Sequence, residues 1–316
     1  MDQSLIARPA PPPAEGASGP GSDRGSGPGS DRGSDRGFGA GFDGAVARMA
    51  PVDRLMAEKD ALRARYLAAE PFPHLVLDGF FDPGVLDRVA AEFPDKGGRD
   101  WLSYDTVNEI KQTSRGAVDL PAFSQTFLWR LCAPPMVRFL REVSGQADLC
   151  VDPLFHGGGM HESFRGGWLN IHADWTRHPV LPLTRRLNMI VYLNRGWDPA
   201  WGGALELRAP GGGGPVAKVE PVFNRAVVFP TTAETLHGFP EPLACPADRS
   251  RKSVSLFYWS PDPEAIKQGA PITFLPGSRQ TRLRALARSF VPPVAFAARD
   301  GLKAMLRRSR QSEAGG

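Results

Sequence analysis

Apolar positions along the chain change period as the sequence proceeds. In "AVARMAPVDRLMAEKDALRARYLAA", residues 45–69, they recur near helical spacing with an interruption at Pro51, which predicts a helix from Val52. "PFPHLVLDGFFDPGVLDRVAAEFP" predicts a strand over residues 74–77, a turn, and a helix from Pro83 with Asp82 as its N-cap. "AFSQTFLWRLCAPPMVRFLREVSG" predicts helix broken at Pro134 and Pro135 and ended by Gly145.

After Cys150 the pattern becomes one of short β-rich runs: "GWLNIHADW", "RRLNMIVYLN", "GGALELRA", "PVAKVEP", "RAVVFP" and "RKSVSLFYWS". Gly, Pro, Asn and Asp punctuate them, and no long helix intervenes. Evenly spaced short strands argue for a sandwich or barrel. Helices first and strands after predict an α+β chain whose core is a double-stranded β-helix of the jelly-roll or cupin-like kind. From Ile266 the pattern turns helical again, giving a C-terminal basic helical tail. Before residue 44 lies the degenerate repeat "GSDRGSGPGSDRGSDRG", which offers little apolar surface against the entropy of ordering. The expected organisation is a disordered arm (1–43), supporting helices and a first strand (44–149), a β core (150–260) and the basic tail (261–316).

Charge adds little to this picture. The chain has 316 residues and a net charge of +4, but residues 261–316 hold ten Lys/Arg against four Asp/Glu, so the rest sums to −2. The basic pI therefore belongs to the tail. Its arginines (Arg282, Arg284, Arg288, Arg307, Arg308 and Arg310) suit a solvated helix face, with an acidic partner or membrane surface as the other reading. No nucleic-acid module accompanies them, so no specific nucleic-acid partner is expected. Cys132, Cys150 and Cys245 are odd in number and lack CxxC spacing, which argues against a disulfide framework or a thiolate zinc site. With no bilayer-length apolar run and no signal-type leader, a soluble cytoplasmic location is expected.

The informative chemistry begins at "NIHADW". On a strand, His172 and Asp174 would point to one face. An imidazole and a carboxylate aimed together invite a metal, and His237 in "TTAETLHGFP" offers a distal third ligand. Two His and one carboxylate with open positions form the facial triad of non-haem Fe(II) oxygenases. In "RKSVSLFYW", Arg251, Ser253, Ser255 and Phe257 share one face, where a cation and hydroxyls suit a carboxylate ligand. Asn188, Ile190 and Tyr192 share a face of another strand. His156, His161 and His178 flank the triad; as a set they read as surface histidines in turns, with "FHGGGMHESFRGG" as a lip over the site. His161, Arg165 and Trp175 are candidate substrate contacts.

In this order, His172-X-Asp174, "YLN", "WDPAWGGALEL", His237 and Arg251-X-Ser253 resemble the Fe(II)/2-oxoglutarate dioxygenases, most closely their prolyl-4-hydroxylase-like branch. The resemblance spans roughly residues 72–259. It implies that His172, Asp174 and His237 hold Fe(II), and that Arg251 binds the distal carboxylate of 2-oxoglutarate with help from Tyr192 and Ser253. Asn188 would line that pocket. It implies hydroxylation of a substrate C–H bond by O2, coupled to decarboxylation of 2-oxoglutarate to succinate, with ascorbate as reductant. Asp at position 174 favours hydroxylation over halogenation. The segment from His237 to Arg251 is longer than usual, so Lys252 and Arg249 stand as rival anchors; strand parity favours Arg251, and a bulge would reverse that choice. Substrates of such cores include peptidyl proline, free amino acids and natural-product or sugar intermediates. The rival reading is a non-catalytic jelly-roll protein that binds a small molecule or sugar, which would need no carboxylate anchor beside its metal. Oligomeric state is not readable from these motifs.

Overall fold

A computed structural model of the chain describes residues 49–94, 101–209, 211, 215–262, 264 and 273–274. The low-complexity arm and nearly all of the basic tail lie outside the described residues. In chain order the elements are α1 (Val52–Ala57), α2 (Lys59–Ala68), β1 (Leu75–Asp78), α3 (Pro83–Ala91), β2 (Leu102–Asp105), β3 (Ile110–Thr113), α4 (Ala122–Leu131) and α5 (Pro134–Ser144). There follow β4 (Cys150–Val151), β5 (Gly159–Phe164), β6 (Leu169–Ala173), β7 (Leu183–Tyr192), β8 (Leu205–Arg208), β9 (Pro215–Val219), β10 (Arg225–Pro230), β11 (Leu236–Phe239), β12 (Ser250–Pro261) and β13 (Thr273–Phe274). The helix expected from Val52 is interrupted at Glu58. Asp82 caps α3 by accepting from the Gly84 and Val85 amides, and Gly145 ends α5 in the left-handed region that favours glycine.

The strands form two antiparallel sheets. One has eight strands in the order β1-β10-β7-β12-β5-β3-β2, with β4 also on β12; the other has five in the order β13-β6-β11-β8-β9. Strand alternation divides the larger sheet between two environments. Leu187, Met189 and Val191 of β7, Ala226 and Val228 of β10, and Val254, Leu256 and Tyr258 of β12 join the helices in the main core. Their neighbours in sequence turn the other way: Tyr192, Val227 and Phe229 pack against Leu205, Leu207 and Val219 of the smaller sheet. The result is a mixed α/β fold with a helical layer, a large sheet and a smaller sheet, and the polar members of the second face line the space between the sheets.

The polar pair β2–β3, the Gly-flanked β5 and the four-residue β11 are strands that apolar patterning did not reveal. The stretch expected to be a glycine-rich lip contains β5, so His161 sits on a strand rather than in a surface turn. His178 is likewise buried, beneath the Trp259 ring. The helical expectation from Ile266 fails at its two described residues: Thr273 and Phe274 pair their backbones with Ala173 and His172 of β6.

Candidate metal and cosubstrate site

The site is built from the register of β6 against β11. His172 lies directly opposite His237, and Asp174 follows immediately after β6 ends. The nitrogen and oxygen donor atoms of these three residues lie within 4.8 Å of one another. Asp174 Oδ1 is 3.4 Å from His172 Nε2, and Asp174 Oδ2 is 3.8 Å from His237 Nε2. The far nitrogens decide the chemistry. His172 Nδ1 is 2.8 Å from the Asn170 carbonyl oxygen, and His237 Nδ1 is 3.3 Å from that of Thr235. A carbonyl can only accept, so each Nδ1 carries a proton, and a ring in its neutral form turns an Nε2 lone pair toward the carboxylate. Two imidazole nitrogens and a carboxylate converging in this way form a donor set that fits a cation. Burial, aided by His172, brings the His237 pKa down to about 4, which leaves a neutral imidazole at pH 7. Burial alone would raise the Asp174 pKa, but His237, His172 and Arg185 outweigh it and hold the carboxyl below its ordinary range.

Asp174 is oriented from its outer side by two residues of β7. Asn188 Nδ2 donates to Oδ2 at 3.2 Å, and Arg185 Nη1 lies 3.3 Å from the same oxygen. Arg185 is only 1% exposed, with its guanidinium 3.4 Å from the Phe257 ring centroid and 4.0 Å from that of Trp175. Strict alternation places Arg185 on the face opposite Asn188, three residues away. The structure resolves this with a register shift: Tyr258 opposes Leu187 while Trp259 opposes Arg185, so Arg186 is the extra residue of a bulge. No period-two reading of the sequence could have found Arg185.

A cavity of about 480 Å³ opens from the triad toward β12. Arg251, Ser253, Ser255 and Phe257 all line it, as do Asn188, His161 and Trp175. Arg251 is buried, donates from Nε to the Gly203 carbonyl at 2.8 Å and from Nη2 to Tyr192 Oη at 3.2 Å, and lies 4.2 Å over the Phe239 ring. Gly203 makes this approach possible: with φ at +81°, an added Cβ would fall 2.6 Å from Leu243 Cδ2 and 3.1 Å from Arg251 Cδ. Burial pulls the Arg251 pKa down and Tyr192 opposes the shift. No carboxylate pairs with Arg251 among the described residues.

The rival anchors face elsewhere. Lys252 Nζ reaches Ser250 Oγ at 2.7 Å and Glu162 Oε1 at 3.0 Å, outside the cavity lining, while Arg249 donates to the Arg195 carbonyl. The bulge falls at Arg186, so the parity of Arg251 through Phe257 is preserved. Arg165 is exposed in the turn after β5 and is not part of the cavity lining. Lys111, Glu109 and Thr113 of the β3 region do line the cavity, a contribution hidden in a strand of polar residues.

The layered mixed fold with a buried two-histidine, one-carboxylate centre defines a candidate mononuclear metal enzyme. Comparison with known proteins narrows the class. Residues 159–259, which contain the triad, Asn188, Tyr192 and Arg251, match the model of the 2OG-Fe(II) oxygenase superfamily, so the segment that carries the site is similar to that family. No curated protein matches the chain. Similar solved structures include a Pseudomonas putida prolyl-4-hydroxylase, 19% identical with a TM-score of 0.48, covering 66% of this chain and 98% of that one. A Trichoplax adhaerens prolyl hydroxylase in complex with a hypoxia inducible factor oxygen degradation domain peptide is 13% identical with a TM-score of 0.47, covering 69% and 96%. HygX from Streptomyces hygroscopicus, with nickel, 2-oxoglutarate and hygromycin B bound, is 16% identical with a TM-score of 0.39, covering 60% and 82%.

Proposed function

We propose that the chain hydroxylates a C–H bond of its substrate, using Fe(II), 2-oxoglutarate and O2, on a double-stranded β-helix core. His172, Asp174 and His237 would hold the metal, and Arg251 with Tyr192 and Ser253 would hold the distal carboxylate of 2-oxoglutarate. The observation that carries this reading is the presence in one cavity of a two-histidine, one-carboxylate donor set and a buried guanidinium that meets no carboxylate among the described residues. Converging acceptors at one end call for a cation, and a buried guanidinium without a carboxylate at the other calls for an anion. A dicarboxylate that chelates the metal at one end answers both.

When bound, the iron supplies the oxidative chemistry; the protein's part is positioning and exclusion of water. Asn188 and Arg185 fix the outer oxygen of Asp174, and the two backbone carbonyls fix the rings of His172 and His237. Buried Arg185 is held beside Asp174 by stacking against Trp175 and Phe257 of the cavity lining. Peptide and small-molecule substrates both remain within this reading, because one solved relative is described with a peptide and another with hygromycin B. Ascorbate as reductant and a cytoplasmic location are part of the same proposal. No described helix is long and apolar enough to cross a membrane.

The test is succinate release from 2-oxoglutarate by Fe(II)-loaded protein in the presence of O2. Turnover that depends on iron and vanishes in His237→Ala supports the enzyme. Iron-replete, folded protein that leaves 2-oxoglutarate unchanged, with every substrate class offered, would return the chain to the non-catalytic binding reading.

A further inference from the structure

One imidazole on the cavity wall belongs neither to the metal triad nor to the wall that carries Arg251. His156 stands in the turn between β4 and β5 and lines the cavity. Its neighbour in sequence fixes where on the wall it sits. A Cβ added to Gly157, whose φ is +75°, would fall 3.2 Å from Trp175 Cζ2, 3.3 Å from Arg185 Nη2 and 3.3 Å from Phe257 Cε2. Any side chain there would push the turn off this stack, so the glycine seats His156 beside it. Arg185 in turn lies 3.3 Å from Asp174 Oδ2 through Nη1, which puts the turn at the metal end of the cavity.

The His156 ring is fixed from behind. Asp152 Oδ2 accepts from the His156 backbone amide at 2.7 Å and lies 2.7 Å from His156 Nδ1 as well. The Leu154 amide at 2.9 Å and His178 Nε2 at 3.3 Å hold that carboxylate in place. The His178 ring packs edge-on against His156, with centroids 4.7 Å apart. With Nδ1 turned to the carboxylate, Nε2 is the remaining polar atom of the ring. It meets no partner among the described residues and is not closed off, since the side chain keeps 32% of its surface accessible. A proton on Nδ1, donated to Asp152, leaves the neutral ring with a lone pair on Nε2. The carboxylate behind it makes that lone pair a better acceptor.

We propose that His156 positions the primary substrate by accepting a hydrogen bond at Nε2 from a hydroxyl or amine of that substrate. This rests on the oxygenase reading above and narrows its substrate to a small molecule that carries such a donor near the C–H bond to be hydroxylated. A prolyl residue inside a peptide has a ring nitrogen without hydrogen and offers no donor of its own there. A free amino acid or a sugar-type intermediate offers several. Because Gly157 ties the turn to the Arg185 stack and Arg185 is tied to Asp174, a group held by His156 stays at the metal end of the cavity.

The experiment uses nitrogen-15-labelled full-length protein loaded with 2-oxoglutarate and Zn(II), a diamagnetic stand-in for Fe(II). It is titrated with cyclopentanol and with methoxycyclopentane, which has no donor, while histidine proton–nitrogen correlations are followed. Cyclopentanol should move the His156 Nε2 resonance upfield and bind about fivefold tighter than the ether, the gain expected for one neutral hydrogen bond. His156→Phe keeps the bulk of the ring but no acceptor, and should bind the two probes equally. His156→Gln keeps an acceptor oxygen and should retain most of the preference. Equal binding of the two probes in wild type, a proton found on Nε2, or a preference that survives His156→Phe would each overturn the assignment; the wild-type titration decides even where a variant does not fold. A parallel anaerobic titration of the Fe(II) protein with 2-oxoglutarate separates the two readings. A visible charge-transfer band without donor preference overturns this assignment alone, and iron-replete wild type without a band overturns both.

Discussion

Two clusters among the described residues have the same inventory, one aspartate and two histidines, and the proposed function assigns a metal to only one of them. In the His172, Asp174 and His237 cluster, both distal nitrogens donate to backbone carbonyls, so each ring in its neutral form presents a lone pair from its near nitrogen. In the Asp152, His156 and His178 cluster the donor atoms are equally close together. There, however, His178 Nδ1 accepts from the Val180 and Leu181 amides at 3.1 and 2.9 Å, which puts the proton on Nε2, 3.3 Å from Asp152 Oδ2. His156 Nδ1 reaches the same oxygen at 2.7 Å, and the His156 and Leu154 amides also donate to this carboxylate. The histidines of the first cluster can therefore both be neutral with lone pairs toward Asp174, whereas His178 can only turn a proton toward Asp152. Residue types alone do not make a metal site; the backbone partner of the far nitrogen decides which way each imidazole is wired.

The most direct attempt to break this contrast is elemental analysis of iron-reconstituted protein. One iron per chain is expected, abolished in His172→Ala and retained in His178→Ala; two irons per chain would end the distinction. Next in size, Arg251→Ala should weaken 2-oxoglutarate by up to about a hundredfold while iron content holds, since a buried charge-assisted contact is lost. An equal loss of iron in that variant would mean that the anchor and the metal centre are not separable.

The carboxylate of the other cluster is expected to act on stability. Asp152→Asn should destabilise the fold by about 2 kcal/mol, because it unmatches buried donors. Its pH signature follows from linkage. Burial by itself raises the Asp152 pKa, but the His156 and Leu154 amides and the two imidazoles bring it below the ordinary 3.8. The stabilisation is thus fully present above about pH 4 and is lost as pH falls through the lower, folded-state value. Urea titrations at stepped pH should show this acid loss in wild type and a flatter limb in Asp152→Asn. The smallest effect is assigned to Asn188→Ala, about tenfold in iron affinity, because Arg185 still holds Asp174. An unchanged value would assign the orientation of that carboxylate to Arg185 alone.

What could be read from the chain itself follows the same physics. "RLNMIVY" and "SVSLFYW" alternate because one face meets the helical layer and the other the space between the sheets, so parity places Arg251, Ser253 and Asn188 on the cavity side and Tyr192 on the same between-sheet face. His172 and Asp174 stood out because polar groups interrupt an apolar run. The strands β2 and β3 were hidden because their outer positions are polar and partly exposed, and β11 because Gly238 breaks up four residues. His237 was visible as a residue but not as the cross-strand neighbour of His172, since register between β6 and β11 is set by tertiary pairing. Arg185 was hidden by the bulge at Arg186, and the proton positions that separate the two Asp/His clusters depend on backbone amides and carbonyls that no side-chain pattern encodes.

The backbone pairing of Thr273 and Phe274 with Ala173 and His172 bears on traffic into the protein. The strand that carries His172 would otherwise be a sheet margin, with a row of amides and carbonyls ready to accept any extended polypeptide. The chain's own later segment already occupies that margin alongside Ala173 and His172. A polypeptide cannot extend the five-stranded sheet at this position while that pairing holds; the cavity lining elsewhere includes Leu102, Val118 and Leu154, which are exposed.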